Sequence, residues 1–198
     1  MVDRPIIFSA PMVRAMLAGR KTQTRRLATS PLARVAPGDR LYVREHWKTS
    51  IGNDGVPPRE LDRETSILML ADGAVRTRFY LPPWGKHRQG MHMPRWASRL
   101  TLIVEDVKIE PLVGISDADA IAEGIGVAQD APSYRRYFVS LAGETFISAH
   151  PAECYARLWS SLHSADGQCW SDNPDVVALT FRIERENNDT LNLENARG

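Results

Sequence analysis

Apolar residues recur along this chain of 198 residues with two periods, and those periods predict its helices and strands. Apolar pairs four residues apart predict one helix over 10–18, which Gly19 ends because glycine tolerates positive φ. A single apolar face predicts a second helix over 151–163. A capping box that begins at Ser116 opens a short third helix, which ends at Glu123.

A short apolar run predicts a first strand over 5–8, and alternating apolar and polar positions predict strands over 40–47, 98–109 and 175–185. Within 98–109 the apolar phase changes at Glu105-Asp106. Such a change predicts a β-bulge or bend, which is expected where a sheet curls into a barrel.

Two stretches, about 48–97 and 127–150, are rich in turn residues and weakly patterned. We interpret both as insertions into a single domain that covers 1–186. The first contains one short predicted strand at 66–70. The segment 187–198 has no pattern and is predicted to be a flexible tail.

Glu45 breaks an apolar row, because Leu41, Val43 and Trp47 share its face of the strand over 40–47. Either this carboxylate reaches solvent at the strand end, or it is partly buried and faces a polar partner. The second interpretation makes Glu45 a candidate substrate-binding residue.

Composition excludes several classes of protein. No apolar run approaches the roughly 18–20 residues of a membrane span, and the first eight residues lack the long apolar stretch of a signal peptide. Two cysteines imply no disulfide framework, so we expect a cytoplasmic protein. The histidines and cysteines lack the spacing of a metal site, and we expect neither metal nor cofactor.

Positive charge is concentrated in two segments. Residues 1–48 carry ten Lys/Arg and three acids, and residues 76–99 carry six Lys/Arg and no acid. Because the rest of the chain is acidic, this asymmetry favours a local anion site, with a modified nucleoside or an RNA backbone as partner. The alternative is that acids from elsewhere in the chain neutralise both segments.

The densest basic stretch, residues 19–26, holds Lys21 and Thr24 three residues apart, beside Arg20, Arg25 and Arg26. A lysine kept neutral by neighbouring cations can act as the base for a hydroxyl nucleophile. The arginines are candidates to bind an anionic substrate. The alternative is a solvated basic loop.

The second basic segment interleaves cations with aromatic residues. Tyr80, Trp84 and Trp96 are candidates to stack on a base, and Arg95 is a candidate to bind phosphate. The alternative is aromatic packing under a long loop.

The residues 17–26, Leu-Ala-Gly-Arg-Lys-Thr-Gln-Thr-Arg-Arg, followed by Pro-Gly-Asp-Arg-Leu at 37–41, resemble the ASCH domain, which is related to the PUA fold. Gly19, Lys21 and Arg26 match the family pattern, whereas Thr24 stands where many members have Glu. A bacterial branch, the N4-acetylcytidine amidohydrolases, is similar in carrying Lys-x-x-Thr. The resemblance implies an α+β fold, a PUA-like (ASCH) mixed β-barrel with flanking short helices and two insertions.

The resemblance also implies a catalytic site made of Lys21, Thr24 and Glu123, the last by its spacing from the preceding strand. An exposed helix-end carboxylate is the alternative for Glu123. The implied function is removal of an acyl group from N4-acylated cytidine. The alternatives are a non-catalytic module that binds RNA or a modified nucleotide, and an ASCH-type ribonuclease. Segments such as 92–99, His-Met-Pro-Arg-Trp-Ala-Ser-Arg, resemble those of longer ASCH proteins found in phages and prophages.

Overall fold

The structure, a computed structural model, describes residues 2–77, 83–128, 135–141, 143–187 and 189. Within them the chain is α+β, with more strand than helix. The helices are α1 (Ala10–Leu17), α2 (Asp117–Ala122) and α3 (Pro151–Leu162). In chain order, the strands are β1 (Asp3–Ile7), β2 (Gln23–Leu27), β3 (Arg40–Arg44), β4 (Trp47–Thr49), β5 (Ile67–Met69), β6 (Val75–Arg76), β7 (Thr101–Pro111), β8 (Gly126–Ala128), β9 (Arg136–Leu141), β10 (Glu144–Ser148) and β11 (Asp175–Glu184).

The three helices lie where the pattern predicts them, to within a residue or two at each end. Gly19, at φ +70°, follows α1 in the left-handed conformation that ends a helix. The Ser116 side chain caps α2 by accepting a hydrogen bond from the Asp119 amide. Pro151 occupies the first turn of α3, where its missing N–H costs nothing.

The largest sheet has five strands in the order β1-β3-β7-β11-β2. β1 runs parallel to β3, whereas β3 pairs with β7 and β11 pairs with β2 in antiparallel fashion. In the part of the chain that the structure describes, β1 and β2 are the edges of this sheet and no pairing closes it into a barrel. The coarser prediction of an α+β fold is therefore confirmed, and the barrel is not.

The chain divides into two compact units. Unit 1 comprises Met1–Leu17, Gly38–Ile103 and Arg182–Gly198, and unit 2 comprises Ala18–Pro37 and Val104–Phe181.

Unit 1 holds the three-stranded sheet β4-β5-β6, and a local core forms beside it. Trp47, Ile67, Met69 and Met93 are buried in that core. These residues come from within or next to the segment 48–97, so that segment builds apolar structure of its own.

Unit 2 holds α2, α3 and the antiparallel sheet β10-β9-β8. The helix α3 buries Tyr155, Leu158 and Trp159. The Trp159 ring stacks on His163, with ring centroids 3.9 Å apart, and its Nε1 donates to the Gln168 carbonyl at 2.8 Å. Burial lowers the pKa of His163 below its ordinary value.

Three details of the strands differ from the pattern. The basic residues 23–27 form β2, because this segment pairs with β11 from Gln23↔Thr180 to Leu27↔Val176. The predicted strand over 40–47 is two strands, β3 and β4. The strand β7 is continuous through Glu105-Asp106, where the apolar phase changes. Ile109, which the pattern placed on an apolar face after that change, is 63% exposed.

No helix in the described residues is both long and apolar enough to cross a bilayer.

Candidate functional site

A cluster of buried and half-buried polar residues, most of them charged, lies in unit 2, and we call it the Lys21 cluster. Its members come from the segment before β2, from β2 itself, from the end of β7, from α2 and its C-cap, and from α3. They are Lys21, Gln23, Thr24, Arg25, Arg26, Glu110, Asp119, Glu123 and Tyr155.

Backbone hydrogen bonds fix the segment that carries Lys21. The Thr22 amide donates to the Ala122 carbonyl at 2.8 Å, at the end of α2. The Thr22 carbonyl accepts from the Phe181 amide of β11 at 2.9 Å. These two bonds hold the basic segment between a helix end and a strand, so it is not a solvated loop.

Lys21 is 1% exposed, and its Nζ lies 2.8 Å from each of three acceptors. The acceptors are the Gln23 carbonyl, the Glu123 carbonyl and Glu123 Oε2. A neutral amine has two N–H groups and an ammonium has three, so this geometry fits the protonated form.

Burial lowers the pKa of Lys21 below its ordinary 10.5, and the Glu123 carboxylate opposes part of that effect. Arg26 and Arg25 lower the pKa further by repulsion. This direction is the one that a lysine base requires.

Arg25 is held by carboxylates from elsewhere in unit 2. Its Nη2 lies 2.6 Å from Glu110 Oε1 and 3.3 Å from Asp119 Oδ2, and its Nη1 lies 3.4 Å from Glu123 Oε1. Nη1 also donates to Gln23 Oε1. Acids distant in sequence thus neutralise this arginine, which leaves it a supporting role rather than a free anion contact.

Glu123 is the C-cap residue of α2 and is 3% exposed. One carboxylate oxygen faces Lys21 and the other faces Arg25. Burial and the Glu123 carboxylate raise the pKa of Tyr155 well above its ordinary value, and a hydrogen bond with Glu123 contributes to the rise. Glu123 is therefore a buried carboxylate in contact with cations, not an exposed helix end.

The alternation of β2 places Thr24 and Arg26 on one face and Gln23 and Arg25 on the other. The Thr24 side chain is buried, and its Oγ1 accepts a hydrogen bond from Arg26 Nη1 at 2.8 Å. Burial lowers the pKa of Arg26, and Glu123 and Tyr155 partly oppose this. Arg26 therefore orients the Thr24 hydroxyl.

The remaining residues that the sequence nominated do not belong to this cluster. Arg20 is exposed. Glu45, in unit 1, is buried and receives two hydrogen bonds from Arg99, at 2.8 and 3.0 Å. Glu45 is thus a buried carboxylate that faces a polar partner, which is the second of the two interpretations of its position in an apolar row.

The nominated residues of the second basic segment also lie in unit 1. Arg95 pairs with Asp3 at 2.6 Å, and the Trp96 ring packs on the local core with Arg76 above it. Trp84 is half-buried in a β-bridge with Ser50. Tyr80 lies outside the described residues.

Sequence reasoning missed Gln23, Glu110, Asp119 and Tyr155 as members of the cluster. One signal was available, because Asp119 and Glu123 are four residues apart and share one side of the short helix. Glu110 has no such signal, since it lies 85 residues from Arg25 in the sequence.

Within the described residues, no group of three or more His, Cys, Asp or Glu side chains is arranged to hold a metal ion.

Comparison with known proteins adds little. No family model matches the chain, and no curated protein does. Among solved structures, the chain is similar to the crystal structure of hypothetical protein PH0355, with a TM-score of 0.44 and 10% identity over 93% of this chain and 100% of that one. A likeness of this degree carries no argument about function, and the ASCH resemblance stays a prediction.

Proposed function

We propose that the Lys21 cluster is the active site of an ASCH-type hydrolase that cleaves the amide bond of an N4-acylated cytidine. The supporting observation is the buried ion pair between Lys21 and Glu123, two residues 102 apart in sequence, with Thr24 buried in the adjoining strand. These are the three side chains that the resemblance nominates.

The ion pair supplies both an acid and a base. Transfer of one proton across the 2.8 Å between Lys21 Nζ and Glu123 Oε2 gives a neutral amine and a carboxylic acid. The lowered pKa of Lys21 favours this transfer.

The acyl transfer then balances. The Thr24 proton passes to Lys21 as Oγ1 bonds to the acyl carbon, and Glu123 gives its proton to the exocyclic nitrogen as the C–N bond breaks. The products are cytidine and an acyl ester of Thr24. Water hydrolyses the ester, which restores the hydroxyl and releases the carboxylic acid.

The surrounding residues hold this arrangement. Arg25 fixes the second oxygen of Glu123, and Arg26 orients the Thr24 hydroxyl. Thr24 lies on the face of β2 opposite Arg25. This placement allows a second route within the same proposal, in which a water molecule attacks the acyl carbon and the Thr24 hydroxyl positions that water.

The first experiment is chromatography of N4-acetylcytidine after incubation with wild type, Lys21→Ala and Glu123→Gln. The proposal requires cytidine from wild type and little or none from either variant. No cytidine from folded wild-type protein overturns it. Thr24→Val removes the hydroxyl that both routes need and is expected to lower turnover, whereas Thr24→Ser keeps a hydroxyl and is the matched control.

Glu45→Gln is the matched control, because it removes the charge of another carboxylate buried to 1% exposure. Its rate per folded molecule is expected to equal that of wild type.

A binding module without chemistry is the second candidate. This candidate is favoured by the three hydrogen bonds that Lys21 Nζ donates. They fit a protonated lysine, and a protonated lysine cannot act as a base. RNA affinity that falls with salt, together with no release of cytidine, would establish it.

A further inference from the structure

A cleft in unit 1 carries cations that the proposed function does not use. It encloses about 420 Å³ and lies between the end of β3, the turn at Pro57–Pro58 and the segment from Met91 to Pro94. Arg44, Arg59 and His92 line it, and none of the described residues that line it is acidic.

Most other cations of unit 1 are already held. Arg99 contacts Glu45 and Asp72, Arg95 contacts Asp3 and Asp189, and Arg88 donates to the carbonyls of Asn53 and Val56. Arg44, like Arg88, has no carboxylate partner among the described residues, and of the two only Arg44 lines the cleft.

The Arg44 guanidinium is nevertheless fixed in place. Its Nη1 donates to the Met91 carbonyl at 3.1 Å, its Nη2 donates to the Tyr42 hydroxyl at 3.3 Å, and its Cζ lies 5.3 Å from the centre of the Tyr42 ring. The Nε atom is buried and has no hydrogen-bond partner among the described residues. The wall of the cleft therefore contains a guanidinium that the protein itself holds in position.

The second cation, Arg59, is exposed, in contrast to Arg44. The Arg59 side chain is 85% exposed and makes a 3.4 Å contact with Glu60 Oε1. It is free to turn toward a ligand, since an exposed pair of this kind contributes little stability.

Apart from His92, the rest of the lining is apolar and consists of three prolines and two methionines. The volume falls within the roughly 300–1,000 Å³ of small-molecule sites, which exceeds what an inorganic anion requires. Cations at the edge and an apolar wall fit a ligand with a charged group on a larger body.

We propose that this cleft binds an organic phosphate of mononucleotide size, with the phosphate at Arg44 and Arg59 and the body against the prolines and methionines. A phosphomonoester carries about −1.5 to −2 charges at pH 7, which suits the two arginines of a cleft whose described lining holds no acidic residue.

The test is a titration of protein labelled with ¹³C at the methionine methyl groups, with cytidine 5′-monophosphate as the probe. We expect the signals of Met91 and Met93 to shift, with assignments from Met91→Leu and Met93→Leu. Cytidine and inorganic phosphate are the comparison ligands, and each is expected to bind at least about 10-fold more weakly, since each lacks one half of the recognised chemistry.

Arg44→Gln is expected to weaken binding of the nucleotide about 10-fold to 100-fold, as loss of a charge-assisted contact does. Arg59→Gln is a second variant, and it is not expected to disturb folding because the Arg59 side chain is exposed. Arg34→Gln, at an exposed arginine of unit 2, removes the same charge elsewhere and is expected to leave the affinity unchanged.

Four results would overturn the inference. They are no methionine shift at millimolar nucleotide, equal affinity for inorganic phosphate, equal affinity for cytidine, and an affinity that neither arginine variant alters. The inference does not depend on amide hydrolysis, because the readout is the methionine spectrum of unit 1.

Discussion

Two buried carboxylates, Glu123 in unit 2 and Glu45 in unit 1, share the same depth of burial and differ in their cations. Both oxygens of Glu45 accept from Arg99, which also contacts Asp72 at 2.9 Å. The hydrogen bonds that Arg99 donates to these two acids outweigh the effect of burial and raise the pKa of Arg99. Glu123 instead divides its oxygens between Arg25 and Lys21.

The difference is one of proton supply. An arginine keeps its protons throughout the working pH range, whereas a buried lysine can give one up. The Glu45 pair therefore serves structure, and the Glu123 pair has the means for acid–base chemistry. The depth of burial is similar for the two carboxylates and does not distinguish a structural pair from a pair suited to acid–base chemistry. The cation that faces each carboxylate does distinguish them.

The largest expected effect is on turnover of N4-acetylcytidine. Glu123→Gln is expected to lower the rate roughly 10²–10⁴-fold, the usual contribution of a general acid. Glu45→Gln is expected to change the rate per folded molecule less than about 3-fold, because replacing a carboxylate outside a catalytic site alters folding rather than chemistry. Chromatographic assays on the soluble fraction measure both rates. Equal losses of rate in the two variants would contradict the assignment of different roles to Glu123 and Glu45.

The next effect is on stability. Lys21→Met leaves Glu123 buried without its ammonium, which is expected to cost roughly 3–5 kcal/mol of unfolding free energy. Urea denaturation followed by circular dichroism measures this cost. Addition of Glu123→Leu is expected to recover most of the loss, since replacing a whole buried pair with apolar residues is often neutral. A double variant no more stable than the single one would contradict this account.

The pH dependence of stability also separates the two pairs. Because the folded-state pKa of Lys21 lies below 10.5, the unfolded chain binds more protons than the folded protein between the two values. Stability from this group therefore rises with pH in that window. Arg99 adds no slope there, because its pKa is raised further above the ordinary range of an arginine.

Denaturation at several pH values from 8 to 10 is the measurement, with Lys21→Arg as the comparison, since arginine keeps the charge without titrating. We expect a more positive slope for wild type. Tyr155 opposes it only above pH 10, where its raised pKa makes stability fall. The other charges facing Lys21 are Glu123, Arg25 and Arg26, and an equal slope in both proteins would show that Lys21 does not titrate in this window.

The smallest effect belongs to an exposed cation of the same motif. Arg20→Gln is expected to change stability by less than about 0.5 kcal/mol, and to change turnover less than about 3-fold, because Arg20 is exposed and outside the Lys21 cluster. Melting temperature and the chromatographic assay check this. A large loss of turnover alone would assign Arg20 to substrate binding.

Much of the fold follows from local pattern. The helices α1, α2 and α3 and the strand β11 have clear periods and end signals, such as Ser116 and Gly19. The strand β2 has neither, since Gln-Thr-Arg-Arg-Leu is polar on both faces. Its burial is possible only because acids from distant segments neutralise it, and such long-range compensation leaves no local trace.

The same reason limits prediction of the site. Lys21 and Thr24 were identified from a contiguous motif, and Glu123 followed from its spacing. Glu110 and Asp119 become visible only when β7 and α2 are folded beside Arg25. Glu45 was correctly marked as unusual, but the partner that decides its role, Arg99, is 54 residues away.

The stack of Trp159 on His163 gives unit 2 an intrinsic optical reporter. A protonated imidazole in contact with an indole quenches its fluorescence, and the ring centroids here are 3.9 Å apart. Since burial lowers the pKa of His163, emission from Trp159 should dim only on the acid side of 6.5. The same helix carries Tyr155, so a fluorescence titration, with Trp159→Phe to isolate the signal, follows the surroundings of the Lys21 cluster without a label.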